Sequence, residues 1–184
     1  AETIAMRIIQ HCLVYFIDQG CPEIIITDGN DVISLNTLFK EKFKTESNTD
    51  TFLIENVEFS LLNCKIEERA FKGNRLYLCA NNRLVDSKEL EKSIVDLDKQ
   101  IFERNGFWYI GVLTSKYLDE NVDMNRLSFS IPENGVSLVN AISMEQIVKE
   151  SCFHISKYLK EYLDTIACAK KERIVSYATS DAPE

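Results

Sequence analysis

Hydrophobic residues recur at helical spacing near the N-terminus of the chain. Four of them fall on one face of a predicted helix, namely Met6, Ile9, Leu13 and Phe16. Two short β-branched runs then flank the sequence Asp28-Gly29-Asn30-Asp31, which is typical of a tight hairpin turn. The pattern therefore predicts a helix, then a small hairpin, then a short helical turn over residues 36–43.

A second helical stripe runs through the C-terminal part of the chain. Ser143 and Gln146 have the spacing of a capping box at its start. The stripe itself consists of Val148, Cys152, Ile155, Leu159, Tyr162 and Ile166. These positions predict one long, continuous amphipathic helix that extends towards Tyr177 and is followed by a frayed tail.

The middle of the chain has mostly strand patterns. Four segments have strand character, at residues 52–66, 76–80, 107–113 and 126–131. The first of them has a bend at Glu55-Asn56, and the polar residues 44–51 in front of it predict a loop.

One helix is predicted between the second and third of these strands. Asp86 and Glu89 have capping-box spacing, and Asn105-Gly106 provides a stop. The apolar residues in between share one helical face: Leu90, Ile94, Leu97 and Ile101. We therefore predict a strand–helix–strand unit with a helix that begins near Asp86.

Together these elements predict an α/β fold of the α+β type. A two-layer mixed β-sheet with helices on one face would bury the apolar stripes, and the long C-terminal helix would complete it. We assign residues 1–142 to this α/β domain, including its N-terminal connecting helix, and residues 143–184 to the C-terminal helix and tail. A chain of 184 residues is long enough to bury such a core.

The chain is acidic, with a formal net charge of −8. This charge disfavours a broad nucleic-acid interface, because an acidic surface repels phosphate backbones. No apolar run has the length of a membrane span, so no membrane partner is expected. None of the six cysteines forms a Cys-x-x-Cys pair, which favours unpaired thiols in a cytoplasmic protein.

The sequence offers little support for a metal centre or a cysteine nucleophile. His11 and Cys12 are adjacent and cannot face each other on a helix. Cys152 and His154 diverge by about 200° on a helix, so this pair does not suit a Cys–His nucleophile either. No spacing supplies the four ligands of a zinc site, and we expect no metal site in the chain.

Three further motifs allow a structural and a functional interpretation. Asp119, Glu120 and Asp123 suit a solvated loop or a cation site, and Phe107-Trp108-Tyr109 suits a core strand or a stacking platform. Asn81-Asn82-Arg83 suits a loop-shaping motif, because asparagine tolerates left-handed turns. The glycine motifs of nucleotide-binding loops and the HExxH motif are absent, so the residues alone reveal no activity.

The order of these motifs resembles a known family. "LYLCANNRLVDSKELEKSI" resembles the strand, Asn-x-Arg turn and capped helix in the second domain of MutL-type mismatch-repair ATPases. "GVLTSKYLDENVDMNR" is similar to the middle-domain loop of the large ATP-dependent heat-shock chaperone, and "MRIIQHCLVYFIDQGCPEIIITDGNDVISL" resembles a connecting helix and first hairpin. Both families are GHKL ATPases. The resemblance implies a transducer domain with the ribosomal-protein-type fold and a left-handed β-α-β crossover.

The resemblance also implies a role for one arginine. Asn121, Val122 and Arg126 keep the MutL-like spacing, in which a lysine extends into a neighbouring ATP site, whereas the heat-shock chaperone has an arginine. Arg126 is thereby implied to be a catalytic, phosphate-sensing residue, with Asn121 and Asn125 as nucleotide-binding neighbours. We expect the acidic residues of the same loop to hold Arg126 loosely until phosphate replaces them.

The nucleotide-binding motifs of GHKL ATPases are missing from this sequence. We therefore expect no cofactor on this chain alone, and ATP with Mg²⁺ in a full-length protein that has a nucleotide-binding domain upstream. The chain opens at Ala1 in a helical pattern, as expected of a piece of a longer protein that could dimerise through the upstream domain. The fragment alone would be inactive. The alternatives are a MutL-like DNA-repair ATPase and a stand-alone interaction module.

Overall fold

The structure is a computed structural model that describes residues 2–17, 21–29, 31–42, 45–67, 73–98, 101–125, 127–134 and 142–180. The helices are α1 (Glu2–His11), α2 (Leu13–Ile17), α3 (Leu35–Lys42), α4 (Ile101–Asn105), α5 (Lys116–Glu120), α6 (Met144–Tyr158) and α7 (Lys160–Ser180). The strands are β1 (Ile25–Asp28), β2 (Asp31–Ser34), β3 (Thr45–Ile54), β4 (Val57–Ile66), β5 (Arg75–Ala80), β6 (Arg83–Glu89) and β7 (Trp108–Thr114).

A five-stranded mixed sheet organises the described part of the chain. Its strand order is β3-β4-β7-β5-β6, while β1 and β2 form the predicted small hairpin. The pairing of β5 with β7 is parallel and the other pairings are antiparallel. The α/β fold class with a mixed sheet and a long C-terminal helix is therefore confirmed.

Two asparagine-containing turns set the hairpins of this sheet. Glu55 and Asn56 have φ values of 47° and 67°, and Asn81 and Asn82 have φ values of 49° and 61°. Positive φ at both central residues is the geometry of a two-residue type I′ turn, which matches the twist of the flanking strands. The predicted bend at Glu55-Asn56 is therefore a full chain reversal between β3 and β4.

The polar segment predicted as a loop belongs to an edge strand instead. β3 begins at Thr45 and pairs with β4 over its whole length, from Thr45 opposite Ile66 to Ile54 opposite Val57. Edge strands tolerate polar residues, because one of their sides is open to water. The loop prediction for residues 44–51 was wrong where the structure describes them, since cross-strand pairing outweighed local composition.

The predicted helix at Asp86 was also wrong. Asp86 lies inside β6, because the turn at Asn81-Asn82 folds this segment back onto β5 as an antiparallel strand. Turns follow after Glu89, and the helix in this region is confined to α4. The four apolar residues of the predicted helical face are nevertheless all buried: Leu90, Ile94, Leu97 and Ile101. The pattern therefore identified the core positions correctly but predicted the wrong backbone conformation for them.

Helices cover both faces of the sheet, where the prediction placed them on one. The α6 face presents Phe59, Leu61, Leu76, Leu78, Tyr109 and Leu113 to α6 and the turns after β6. The α1–α3 face presents Cys64, Ile66, Tyr77, Cys79, Ile110 and Val112 to α1, α2 and α3. Alternate residues of the central strands enter opposite cores, so the sheet is buried on both sides.

The connection from β5 to β7 is a crossover, because the two neighbouring strands are parallel. It contains β6, the buried turns and α4 rather than one long helix. The left-handedness expected from the resemblance stays a prediction. The last predicted strand was wrong, since residues 127–131 form only an isolated bridge between Val122 and Phe129.

The C-terminal helix is interrupted once. Ser143 and Gln146 form the predicted capping box, and α6 ends at Tyr158 with Leu159 as its C-cap, whose φ of −87° and ψ of 9° depart from helical values. Backbone hydrogen bonds from Leu159 N–H to Ile155 O and from Leu163 N–H to Leu159 O carry the chain into α7. Ile155 and Leu159 are buried as expected. The division at residues 142 and 143 stays a prediction.

One buried asparagine holds the turns after β6 against the sheet. Asn74 is fully buried. Its backbone N–H and side-chain amide donate to Glu91 Oε1, and the same amide donates to Asp98 O. Its side-chain oxygen accepts from Tyr109 N–H and its carbonyl accepts from Leu90 N–H. Asn74 therefore connects the irregular segment to both β5 and β7.

We predict that Asn74→Ala destabilises the chain by about 2–4 kcal/mol, because it leaves buried donors and acceptors without partners. The measurement is the free energy of unfolding from denaturant titration. Asn48→Ala, an exposed change in β3, is the matched control and should stay within about 0.5 kcal/mol of the parent. Equal losses for the two variants would contradict this role of Asn74.

A histidine–aspartate pair joins α6 to the edge strand β3. His154 Nδ1 lies 2.6 Å from Asp50 Oδ2, and its ring stacks on Phe52 with centroids 4.4 Å apart. The hydrogen bond from His154 lowers the pKa of Asp50 below its ordinary value of 3.8. Asp50 therefore binds its proton less tightly in the folded chain than in the unfolded chain. The contribution of the pair to stability depends on pH for this reason.

We predict that this pair makes stability fall in acid. Because the folded pKa of Asp50 is depressed, its contribution is complete above the ordinary aspartate pKa and is lost as the pH falls below about 4. Asp50→Asn should therefore be less stable than the parent at pH 7, with a difference that shrinks below pH 4. Unfolding curves from pH 3 to 7 check this, with the exposed Asp164→Asn as control. A pH-independent difference would argue against the linkage.

Candidate functional site

The loop that follows β7 is built around a short helix. Ser115 is the N-cap of α5, and its Oγ accepts a hydrogen bond from Leu118 N–H at 3.0 Å. Leu118 is fully buried and fixes the helix against the sheet. The serine cap and the buried leucine thus both help to order this turn after β7.

Backbone and carboxylate hydrogen bonds close the rest of the loop. Ser130 N–H donates to Asn121 O at 2.7 Å, and Asp123 N–H donates to Ser128 O at 3.0 Å. The Asp123 carboxylate accepts from Leu127 N–H at 2.7 Å and from Ser128 Oγ at 3.2 Å. These bonds bring residues 121–123 and 128–130 side by side and leave Met124, Asn125 and Leu127 at the tip.

The predicted site residues have different positions in this loop. Asn121 caps α5: its side-chain amide donates to Tyr117 O at 2.8 Å, so it shapes the loop. Asn125 is exposed at the tip, between the exposed residues Met124 and Leu127. Arg126 lies outside the described residues, and its predicted contacts stay predictions.

The loop docks on the turn between β5 and β6. Asp119 Oδ1 accepts a hydrogen bond from Asn81 N–H at 2.7 Å, although the two residues are 38 positions apart. Glu120 lies 3.7 Å from Lys116, one turn earlier in α5. Each acidic residue of the loop that was expected to hold Arg126 thus has a described contact with another residue. The loop-shaping interpretation of Asn81-Asn82 and of the acidic residues is the one that these contacts support.

A groove lies beside this docked loop. We call it the acidic groove; it has a volume of about 700 Å³ and is lined by Asn56, Val57, Glu58, Ser60, Asn82, Thr114, Ser115, Lys116, Tyr117, Asp119 and Glu120. Among the described residues of this lining, three carboxylates face one ammonium group. Such a surface repels a polyphosphate, so the groove itself does not suit a nucleotide.

The three buried cysteines do not suit a nucleophile. The structure has all six as free thiols, and burial raises the pKa of Cys64 and Cys79 to about 12 and that of Cys152 to about 11. A thiol with so high a pKa is protonated at neutral pH and reacts poorly. Among the described residues, no group of three or more histidine, cysteine or acidic side chains is arranged to hold a metal ion.

The aromatic run after α4 belongs to the core. Tyr109 is fully buried and its hydroxyl donates to Asn63 Oδ1 at 2.6 Å. Trp108 stacks on Phe102 with ring centroids 5.3 Å apart, and Phe107 lies edge-on to Tyr162 at 6.3 Å. These rings pack against other residues of the chain, which favours the core-strand interpretation over a stacking platform.

Two features of the site were missed from the sequence. The serine cap of α5 has a local signal, since Ser115 precedes an amphipathic turn and could have been identified. The contact between Asp119 and Asn81 has no local signal, because it depends on the parallel pairing of β5 with β7.

Comparison of the chain with protein-family models, with curated proteins and with solved structures gives no match. Among the helices in the described ranges, none combines the length and apolar character needed to cross a membrane.

We predict that Asp119→Ala releases the loop from the β5–β6 turn. Losing a carboxylate that accepts from a backbone N–H at an exposed position should cost about 1 kcal/mol and expose the Asn81 amide. Hydrogen exchange of that amide should become faster. Glu120→Ala on the same helix is the control and should leave Asn81 exchange unchanged. Unaltered exchange in Asp119→Ala would show that the turn is held in another way.

Proposed function

We propose that this chain is the transducer portion of a GHKL-type ATPase of the heat-shock-chaperone-like branch. The observation that carries the proposal is the hydrogen bond between Asp119 and Asn81. The two sequence segments that resemble GHKL transducers, around residues 81–83 and 115–126, meet there at one end of the sheet. Both segments resemble parts of the same type of domain. Their direct contact supports the proposal that they belong to one transducer-like fold.

Under this proposal the loop tip delivers a charge to a nucleotide held elsewhere. ATP hydrolysis builds negative charge on the γ-phosphoryl oxygens and the leaving oxygen. A guanidinium stays charged and presents a fixed fork of donors, so Arg126 suits this position better than a neutral residue. The exposed neighbour Asn125 adds an amide that can reach the same phosphate or ribose.

The surroundings of the loop support a division of labour between domains. The acidic groove repels polyphosphate, so the nucleotide and its Mg²⁺ would be held by the upstream domain of the full-length protein. Arg126 would then report whether a γ-phosphate is present, which couples hydrolysis to movement between the domains. Asn121 contributes by capping α5 and thereby fixing where the tip begins.

The repair-type branch is the second candidate. The spacing of Asn121, Val122 and Arg126 matches MutL-like ATPases, whereas the net charge of −8 disfavours DNA binding. Stimulation of the full-length ATPase by duplex DNA would favour the repair-type branch, and its absence the chaperone-like branch.

We predict that Arg126→Ala in the full-length protein lowers ATP turnover by about tenfold or more, because a phosphate-clamping charge is lost. The dissociation constant for ATP should change by less than about threefold, since binding belongs to the other domain. Arg126→Lys should retain part of the activity through its remaining charge. Steady-state turnover and equilibrium ATP binding are the two measurements.

Arg173→Ala removes an equal charge from an exposed position on α7 and is the matched control. In the 184-residue chain, Arg126→Ala should change the free energy of unfolding by less than about 0.5 kcal/mol, as expected of a surface site. Parental turnover in the full-length Arg126→Ala protein would refute the proposal, as would equal losses in Arg173→Ala.

A further inference from the structure

Helix α1 has a second stripe at the edge of the core, where its residues are exposed or only partly buried. Its buried stripe consists of Ala5 and Ile9, and Leu13 and Phe16 continue it through α2. The other stripe has the spacing i, i+3, i+4, i+7 and lines a separate groove. The lining of this groove, which we call the cationic groove, is Ile4, Arg7, Ile8, His11, Cys12, Tyr15, Pro22, Ile24 and Arg83.

The charge of this groove opposes that of the whole chain. Two guanidinium groups and an imidazole line it, and the described residues of the lining include no acidic one, although the chain has 29 acidic against 21 basic residues. Arg7, His11 and Arg83 are exposed, and their side chains make no ion pair or hydrogen bond within the part of the chain that the structure describes. The described residues therefore leave these donors in contact with solvent at the groove.

The remaining walls of the cationic groove are apolar. They are formed by Ile4, Ile8, Tyr15, Pro22 and Ile24. Burial raises the pKa of Cys12 in spite of the nearby Arg83, so this wall residue is a neutral thiol at physiological pH. The groove volume is about 720 Å³, within the range of pockets that bind small molecules.

We propose that the cationic groove binds a small organic phosphate whose ester group is apolar. Arg7 and Arg83 would share the phosphate dianion, because guanidinium donors match phosphate oxygens in pairs. The isoleucines of α1 and Tyr15 would cover the apolar ester group. The two guanidinium groups would balance the two negative charges of the phosphate. The apolar walls would favour an ester over the free phosphate ion, because only the ester has an apolar group to bury. This site does not depend on the proposed ATPase function, since neither Arg126 nor a nucleotide domain takes part.

The test uses the 184-residue chain and phenyl phosphate as the probe. Amide chemical shifts followed during titration should move for residues of α1, for Ile24 and for Arg83. Inorganic phosphate, which lacks the apolar group, and benzyl alcohol, which lacks the charge, should each bind at least about tenfold more weakly. Shifts confined to other surfaces, or equal affinities for phenyl phosphate and inorganic phosphate, would overturn the proposal.

Variants provide the second arm of the test. The double variant Arg7→Gln, Arg83→Gln should weaken phenyl phosphate binding by about tenfold or more, because two charge-assisted contacts are lost. Lys171→Gln, Arg173→Gln removes the same charge from exposed positions of α7 and should bind as the parent does. Parental affinity in the Arg7, Arg83 variant would overturn the proposal. So would a hexaglutamate peptide that shifts the same amides and binds more tightly than phenyl phosphate, since it would identify an acidic peptide as the ligand.

Discussion

The need to satisfy backbone polar groups inside the α6 face is the constraint on which the rest of the fold depends. Residues 90–98 lie in turns beneath α6, and turns leave N–H and C=O groups that no helix or strand satisfies. Asn74 supplies partners for three parts of the chain at once: Leu90, Asp98 and Tyr109. With those groups satisfied, Leu90, Ile94 and their neighbours can fill the core without forming a helix. The hydrogen bond from Tyr109 N–H to Asn74 also holds β7 beside β5. It thereby helps to fix the position of the loop after β7.

Local signals predicted the elements whose stability is local. The β1–β2 hairpin, the capping box at Ser143 and the buried positions of α6 follow from turn chemistry and periodicity, and the structure has them all. The prediction of a helix at Asp86 was wrong because two local signals conflict there. The capping-box spacing favours a helix, the Asn81-Asn82 turn favours a hairpin, and only pairing with β5 decides between the two backbones. The loop prediction for the polar start of β3 was wrong for the same reason, because pairing with β4 decides the backbone there. Sequence reasoning located core residues well, but it could not tell which distant segment would pair with them.

The candidate site shows the same division. Asn121 was singled out as a nucleotide neighbour, yet its amide is committed to the Tyr117 carbonyl, a role that only the backbone of α5 reveals. The carboxylate of Asp123 accepts from Leu127 and Ser128. These bonds make Asp123 a residue that closes the loop, whereas the sequence indicated only an acidic partner for Arg126.

The interruption at Leu159 has a mechanical consequence. α7 contains 21 residues, so it is about 30 Å long, and it is tied back to the turns after β6 by the 2.5 Å contact between Lys170 and Asp96. Every side chain from Lys171 to Tyr177 is exposed. A rotation of about 10° at Leu159 would displace the far end of such a rod by about 5 Å. The Lys170–Asp96 pair and the buried side chain of Ile166 hold the first half of α7, so the displacement would be largest along the exposed residues beyond them.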